Sequence, residues 1–156
     1  MDQLFATSLA YRHQLVTTLD KLDDEQLDLI PENFNNSIRW NAAHLIVTPC
    51  LLTYNMVGET SPLLSSEFIS SAKKGTNQED FSMNEDFGKK HLLETLIESI
   101  KQLQRDIPEL EKHDFKNYET STGFVLSNLE SALSYSNIHD GVHIGTIASM
   151  IKIIEA

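Results

Sequence analysis

The spacing of apolar residues constrains this chain more than any other feature, because positions three and four apart recur through most of its 156 residues. This period is typical of amphipathic helices, and we find no segment with the alternation of strands or with a hairpin signal. Only six Gly and four Pro interrupt the pattern. The sequence therefore predicts an all-α protein.

The first predicted helix covers roughly residues 2–22 and ends at the acidic stretch 23–25. Its buried residues should form one stripe at helical spacing. That predicted stripe consists of Leu4, Ser8, Tyr11, Leu15, Thr18 and Leu22. A connector rich in turn-forming residues, at positions 31–36, separates this helix from the next one.

The second predicted helix spans residues 38–57 and has Asn36 or Ser37 as its N-cap. Pro49 lies inside this helix and has no backbone N–H to donate. We therefore expect a kink about one turn beyond His44.

A long polar crossover is predicted over residues 59–83, with a short helix at 67–74 that ends at Gly75. The third long helix should begin at Asn84, whose side chain can cap it, and should break near Pro108. Its predicted apolar stripe consists of Leu92, Leu93, Leu96, Ile97, Ile100, Leu103 and Ile107.

The fourth predicted helix begins with a capping box at residues 127–130 and runs to Glu155. Four long amphipathic helices joined by two long connections predict a four-helix bundle, within one domain of residues 1–156. Three long helices with an accessory pair are the alternative.

The charge balance argues against an anionic partner. Twenty-three Asp and Glu against 12 Lys and Arg give a net charge of −11, without a large basic cluster, so we expect no nucleic-acid or membrane partner. The most apolar window, residues 42–58, is too short and too polar to span a membrane. The single cysteine and the absence of a basic signal region predict a cytoplasmic protein.

His139 and His143 are four residues apart on the fourth predicted helix, so both imidazoles can reach one ion. They lie on the face predicted to point into the bundle, as does His44 on the second helix. Three imidazoles from two helices suit zinc, nickel or iron. Core histidines that only form hydrogen bonds are the alternative.

Three nitrogen ligands leave a coordination position for water or substrate, which is typical of catalytic metal sites. An ion there would generate a nucleophile near neutral pH. A structural metal, an adventitious metal or none at all is the alternative. Asp140 and His143 resemble part of a di-iron motif, but the further carboxylates that such a site needs are missing, so we do not predict a di-iron centre.

The remaining candidates are predicted to have no catalytic role. Cys50 lies in an apolar helix without a charged partner, which indicates a buried, inert thiol. Trp40, Tyr54 and Tyr135 could line a pocket, although aromatic residues at helical spacing more often belong to a core. The surface histidines are predicted to be His13, His91 and His113.

Two segments resemble the histidine motifs of the DinB-like (YfiT-like) superfamily. They are residues 36–45, with the sequence NSIRWNAAHL, and residues 139–145, with the sequence HDGVHIG. Their order and the helix pattern match that family over nearly the whole chain. Residues 27–31 and 117–120 are also similar to a bacterial subgroup of it.

The resemblance implies an up-down-down-up four-helix bundle in which His44, His139 and His143 hold a divalent metal, and it implies a homodimer. Some members of the superfamily are thiol S-transferases that use bacillithiol or mycothiol, and others are described as metal-dependent hydrolases. One departure is Thr146, because many members have Gln there. The shorter side chain of Thr146 is not expected to take over a role of that Gln in orienting the metal-binding histidines or in packing the helices.

The leading hypothesis is a cytoplasmic metal-dependent enzyme, a hydrolase or thiol S-transferase, that activates water or a low-molecular-weight thiol against a small-molecule substrate. The alternative is a non-catalytic helical bundle that dimerises through a helix face and binds metal incidentally. A nucleic-acid-binding module is a third interpretation, which the acidic composition disfavours.

Overall fold

The computed structural model describes residues 1–77 and 87–155, which are mostly helical. The long helices are α1 (Asp2–Leu19), α3 (Ile38–Thr53), α5 (Lys89–Leu110) and α6 (Leu129–Ile154). The short helices α2 (Asp24–Asp28) and α4 (Ser66–Ala72) lie in the connections, and a 3₁₀ turn, Asn55–Val57, follows α3. The all-α prediction is confirmed.

Each long helix packs against two other long helices. Helices α1 and α3 both contact α5 and α6. The largest core cluster is built from residues of all four, for example Leu15, Ile46, Leu96 and Ile147. Helix α3 is buried along nearly its whole length, so residues on it face the interior whatever their polarity.

The predicted stripe of α1 is partly wrong. Tyr11 is 55% exposed, whereas the neighbouring Arg12 is fully buried. The buried face consists of Phe5, Ser8, Arg12, Leu15 and Leu19. The apolar pattern alone could not place this face, because one of its central positions carries a charge.

Two predictions about helix boundaries in the first half of the chain are confirmed. Ser37 caps α3, since its side chain accepts a hydrogen bond from the Trp40 amide. The short helix of the crossover is α4, and Gly75 follows it with a φ of +92°, a left-handed conformation that favours glycine. Helix α3 continues through Pro49 and ends at Thr53.

Two boundary predictions in the second half need correction. Helix α6 is capped by Asn128 in a capping box with Ser131, one residue later than predicted. Helix α5 runs through Pro108 to Leu110 rather than breaking there, because a proline in the last turn removes a single helical bond. The predicted cap Asn84 lies outside the described residues, and α5 begins at Lys89.

The connection before α6 contains a small antiparallel ribbon that the sequence pattern did not predict. Strands β1 (Tyr118–Glu119) and β2 (Val125–Leu126) pair through Tyr118 with Leu126 and Glu119 with Val125. Two-residue strands are too short to show an alternating pattern. Among the described helices, none has the length and apolar character needed to cross a membrane.

Candidate metal centre

The three predicted histidines meet between α3 and α6. One ring nitrogen from each of His44, His139 and His143 lies within 4.8 Å of the corresponding nitrogen of the other two. The Nε2 atoms of His44 and His139 are 3.2 Å apart. The fold therefore brings together all three residues that the sequence predicted as ligands.

The ring of His44 is held in place by its neighbours. Its Nδ1 lies 2.7 Å from the carbonyl oxygen of Ala72, at the C-terminal end of α4. A carbonyl only accepts, so Nδ1 carries the proton and donates it, which leaves the Nε2 lone pair available to a cation. The ring of Trp40 stacks on the His44 imidazole, with centroids 4.8 Å apart and planes at 12°.

His143 is oriented through a chain of two hydrogen bonds. Its Nδ1 lies 2.8 Å from Oδ1 of Asn41, while Nδ2 of Asn41 donates to the Ser37 carbonyl at 2.8 Å. The second bond fixes the orientation of the amide, so its oxygen must face the imidazole. His143 therefore donates from Nδ1 as His44 does, and its Nε2 is free for a ligand role.

His139 is the least satisfied of the three. Its Nδ1 is buried and has no hydrogen-bond partner in the described part of the protein. Its Nε2 faces the unprotonated Nε2 of His44. A cation shared by the three rings would replace this contact between nitrogen atoms, so the donor set fits a divalent metal.

Burial keeps these imidazoles neutral. Desolvation lowers the pKa of His139 to about 3, helped by the nearby His143, His44 and Arg12. Desolvation also lowers the pKa of His143 to about 4 and, in the same direction, the pKa of His44. Neutral imidazole is the form that binds metals, so at pH 7 the cluster is ready for a cation without losing protons.

Asp140 does not join the cluster as a ligand. Both of its carboxylate oxygens accept hydrogen bonds from the buried guanidinium of Arg12, at 2.9 and 3.3 Å. The carboxylate of Asp140 is therefore engaged by Arg12 and does not face the three histidines as a fourth donor. Thr146 also stays apart from the cluster, because its hydroxyl donates to the Val142 carbonyl of its own helix.

A cavity of about 510 Å³ opens beside the cluster, and the three histidines form part of its wall. Half of the remaining lining residues are apolar or aromatic, and they come from α3, the 3₁₀ turn, the ribbon and α6: Leu51, Leu52, Met56, Tyr118 and Tyr135. In the described part of the protein the lining contains one cation, Lys74, and no carboxylate. A volume of this size suits a small molecule.

The other sequence candidates have separate roles. Cys50 is buried, and desolvation raises the pKa of its thiol to about 11, which makes it inert as predicted. Of the three candidate aromatic residues, Tyr135 lines the cavity, Trp40 supports His44, and Tyr54 donates instead to Asp106. The remaining histidines, His13, His91 and His113, are exposed as predicted.

Sequence reasoning missed two groups that orient the histidines. Asn41 lies three residues before His44, in the same motif, and this spacing on one helix face was a usable signal. The Ala72 carbonyl is a backbone group at the end of α4, and no sequence pattern points to it.

The family comparison gives one match. The model of the DinB superfamily matches residues 10–147, a range that includes all three histidines. No curated protein matches the chain significantly.

Proposed function

The chain belongs to the DinB superfamily, and on that premise we propose that it is an enzyme in which His44, His139 and His143 hold a divalent metal ion beside the substrate cavity. The observation that carries this proposal is the convergence of the three neutral imidazoles at one wall of that cavity. Zinc, nickel and iron(II) all accept this ligand set. The up-down-down-up helix order implied by the family resemblance is part of the same proposal.

The cavity lining limits the kind of substrate. Its apolar walls favour a small molecule with an apolar body. The described lining contains Lys74 and no carboxylate, so the cavity favours a substrate with a neutral or anionic group over one with a cationic group. The substrate that this cavity supports best is therefore a small apolar compound with a neutral or negatively charged end.

Thiol transfer fits the side chains of the site better than hydrolysis does. A divalent ion bound to the histidines would lower the pKa of a thiol or of water. An ordinary thiol has a pKa near 8.5 and water one near 15.7, so a thiol needs much less help to ionise at pH 7. In the described lining no carboxylate is present as a general base, which favours the nucleophile that ionises more easily.

The first experiment measures metal binding. The protein is treated with a chelator, reloaded with zinc, nickel or iron(II) and analysed for bound metal, beside the His44→Ala and His143→Ala variants. The exposed His13→Ala is the matched control. We expect stoichiometric metal in the parent and the control and a large loss in the two site variants; a parent that retains no metal after reloading would exclude the proposal.

The second experiment identifies the reaction on the reloaded protein. Transfer of 3-mercaptopropionate, 2-mercaptoethanol and cysteamine to an aryl halide is compared with hydrolysis of p-nitrophenyl acetate. We expect metal-dependent transfer that is fastest with the anionic or neutral thiol and slowest with the amine. Ester hydrolysis without thiol transfer would assign the hydrolase alternative instead. The absence of both activities would favour a non-catalytic metal-binding protein.

A further inference from the structure

Arg12 is a fully buried arginine whose hydrogen bonds connect the helices around the candidate metal centre. Its guanidinium makes five hydrogen bonds, one for each N–H group it carries. Two go to the carboxylate of Asp140 on α6, and one goes to the Leu45 carbonyl on α3. The other two go to the Leu96 carbonyl, at 3.0 Å, and the Ser99 hydroxyl, at 3.4 Å, both on α5.

The partners of Arg12 on α3 and α6 are the residues next to two of the histidines. Leu45 follows His44, and Asp140 follows His139. The rigid, planar guanidinium of Arg12 therefore connects α3 and α6 at the residues that directly follow His44 and His139. Displacement of either helix along the other would break at least one of these bonds.

Pro49 explains why the Leu45 carbonyl can take part. In an uninterrupted helix this carbonyl would accept from the amide of residue 49, but proline has no N–H to donate. The free acceptor is buried in the core and needs a donor. Arg12, coming from another helix, supplies it.

Stability alone does not account for this arrangement. A buried ion pair costs so much desolvation that well-packed apolar residues of similar size stabilise a fold as well or better. What a bidentate arginine adds is fixed geometry, because its planar fork holds partners at set distances and angles. Because these bonds end one residue from His44 and one residue from His139, the distance that Arg12 holds is the one between α3 and α6 at these two histidines.

We propose that Arg12, together with Asp140, is a positioning residue that sets the distance between His44 on α3 and the two histidines of α6. The inference rests on the proposed function, since it requires that these histidines bind a metal. In the folded protein it makes metal affinity and coordination geometry depend on a group that does not touch the ion.

The test separates this role from fold stability by a double substitution. Arg12→Met with Asp140→Leu removes both charges and keeps similar volume, so no unpaired charge is left in the core. The Leu45 carbonyl loses its donor, so we expect a folded variant that is less stable than the parent. Arg12→Lys keeps the charge but loses the planar fork. The matched control is Arg39→Met, because Arg39 is also fully buried but bonds Asp24 and Asp28 of α2 and the Phe87 carbonyl.

Each variant is compared with the parent by urea unfolding, by zinc affinity in competition with a chromogenic chelator, and by the visible spectrum of the cobalt(II) form. We expect zinc binding to weaken by about 10- to 100-fold in the double variant and in Arg12→Lys. The cobalt(II) spectrum should change in both. Arg39→Met should keep the zinc affinity and the spectrum of the parent, whatever its stability.

A folded double variant with the zinc affinity and cobalt(II) spectrum of the parent would overturn the inference while leaving the metal centre intact. Equal changes in Arg39→Met would also overturn it, because the effect would then be a general one of losing a buried arginine. A parent protein that binds neither zinc nor cobalt(II) would overturn the proposed function together with this inference. That outcome is distinct from the other two.

Discussion

At the scale of single residues, the neutral state of the histidine cluster has a consequence for stability. The pKa of His139 is about 3 and that of His143 about 4 in the folded protein, whereas an unfolded histidine has a pKa near 6.5. Between these values the unfolded chain binds protons that the folded chain does not. The free energy of unfolding of the metal-free protein should therefore fall as pH drops from about 6.5 to about 4.

The size of this effect can be measured by urea unfolding of chelator-treated protein across that pH range. Each such histidine contributes up to about 1.4 kcal/mol per pH unit. His139→Gln should make the pH dependence shallower, because it removes one of these groups, while the exposed His13→Gln should leave it as it is. Equal slopes for the parent and His139→Gln would show that burial of this ring does not govern its protonation.

Asn41 is the second residue with a sharp prediction. Asn41→Leu keeps the approximate volume but removes the acceptor for Nδ1–H of His143, so zinc affinity should fall by about 10- to 100-fold. Asn41→Asp retains an oxygen in that position and should bind zinc much more tightly than Asn41→Leu. Competition with a chelator measures both, and a leucine variant with the affinity of the parent would show that His143 needs no orienting partner.

At the scale of helices, the positions of the three histidines were predictable, but the buried position of Arg12 behind them was not. His139 and His143 share a face because four residues make about one turn, and the burial of α3 brings His44 inward. Arg12 carries a charge, and a charged position on a helix is normally assigned to its solvated face. Its burial depends on Asp140 from a distant part of the sequence and on the carbonyl freed by Pro49, so no local pattern reveals it.

The start of α6 gives a direct test of a boundary that the sequence pattern misplaced. Asn128 accepts from the Ser131 amide at 2.8 Å, whereas the predicted cap was Ser127. Asn128→Ala should lower the free energy of unfolding by about 1 kcal/mol, since helix amides lose their acceptor. Ser127→Ala, at an exposed neighbouring position, should change it little. Thermal or urea unfolding compares the two, and the opposite ranking would restore the capping box at residues 127–130.

At the scale of the whole molecule, the connections complete the site that the long helices begin. The crossover supplies the Ala72 carbonyl and Lys74, and the ribbon supplies Tyr118 to the cavity. The spacing of apolar residues predicts helices because each helix has its own repeat in the sequence. The path of a connection depends instead on the helix surfaces that it packs against. The sequence therefore predicted the three histidines that meet at the site, and beyond Tyr135 it left the cavity walls undetermined.

The outer face of α6 has the properties of a contact surface between two copies of this chain, which fits the predicted homodimer. Ile138 and Val142 are one turn apart and 69% and 63% exposed. Between Glu130 and Lys152 the sole Asp, Glu, Lys or Arg is Asp140, which is buried. A chain with a net charge of −11 repels its own copies, so two copies would meet at the lowest electrostatic cost through an uncharged apolar face.

We therefore predict that the protein is a dimer and that Ile138→Glu with Val142→Glu makes it a monomer. Two apolar side chains of this size contribute about 3 kcal/mol or more when buried, so the dimer dissociation constant should rise at least about a hundredfold. Phe124→Ser, at an exposed position of the ribbon, is the control and should leave the dimer intact. Sedimentation at several concentrations measures both variants. A dimeric parent whose double variant stays dimeric would place the interface elsewhere, since two new carboxylates on each copy could not be accommodated at a buried contact.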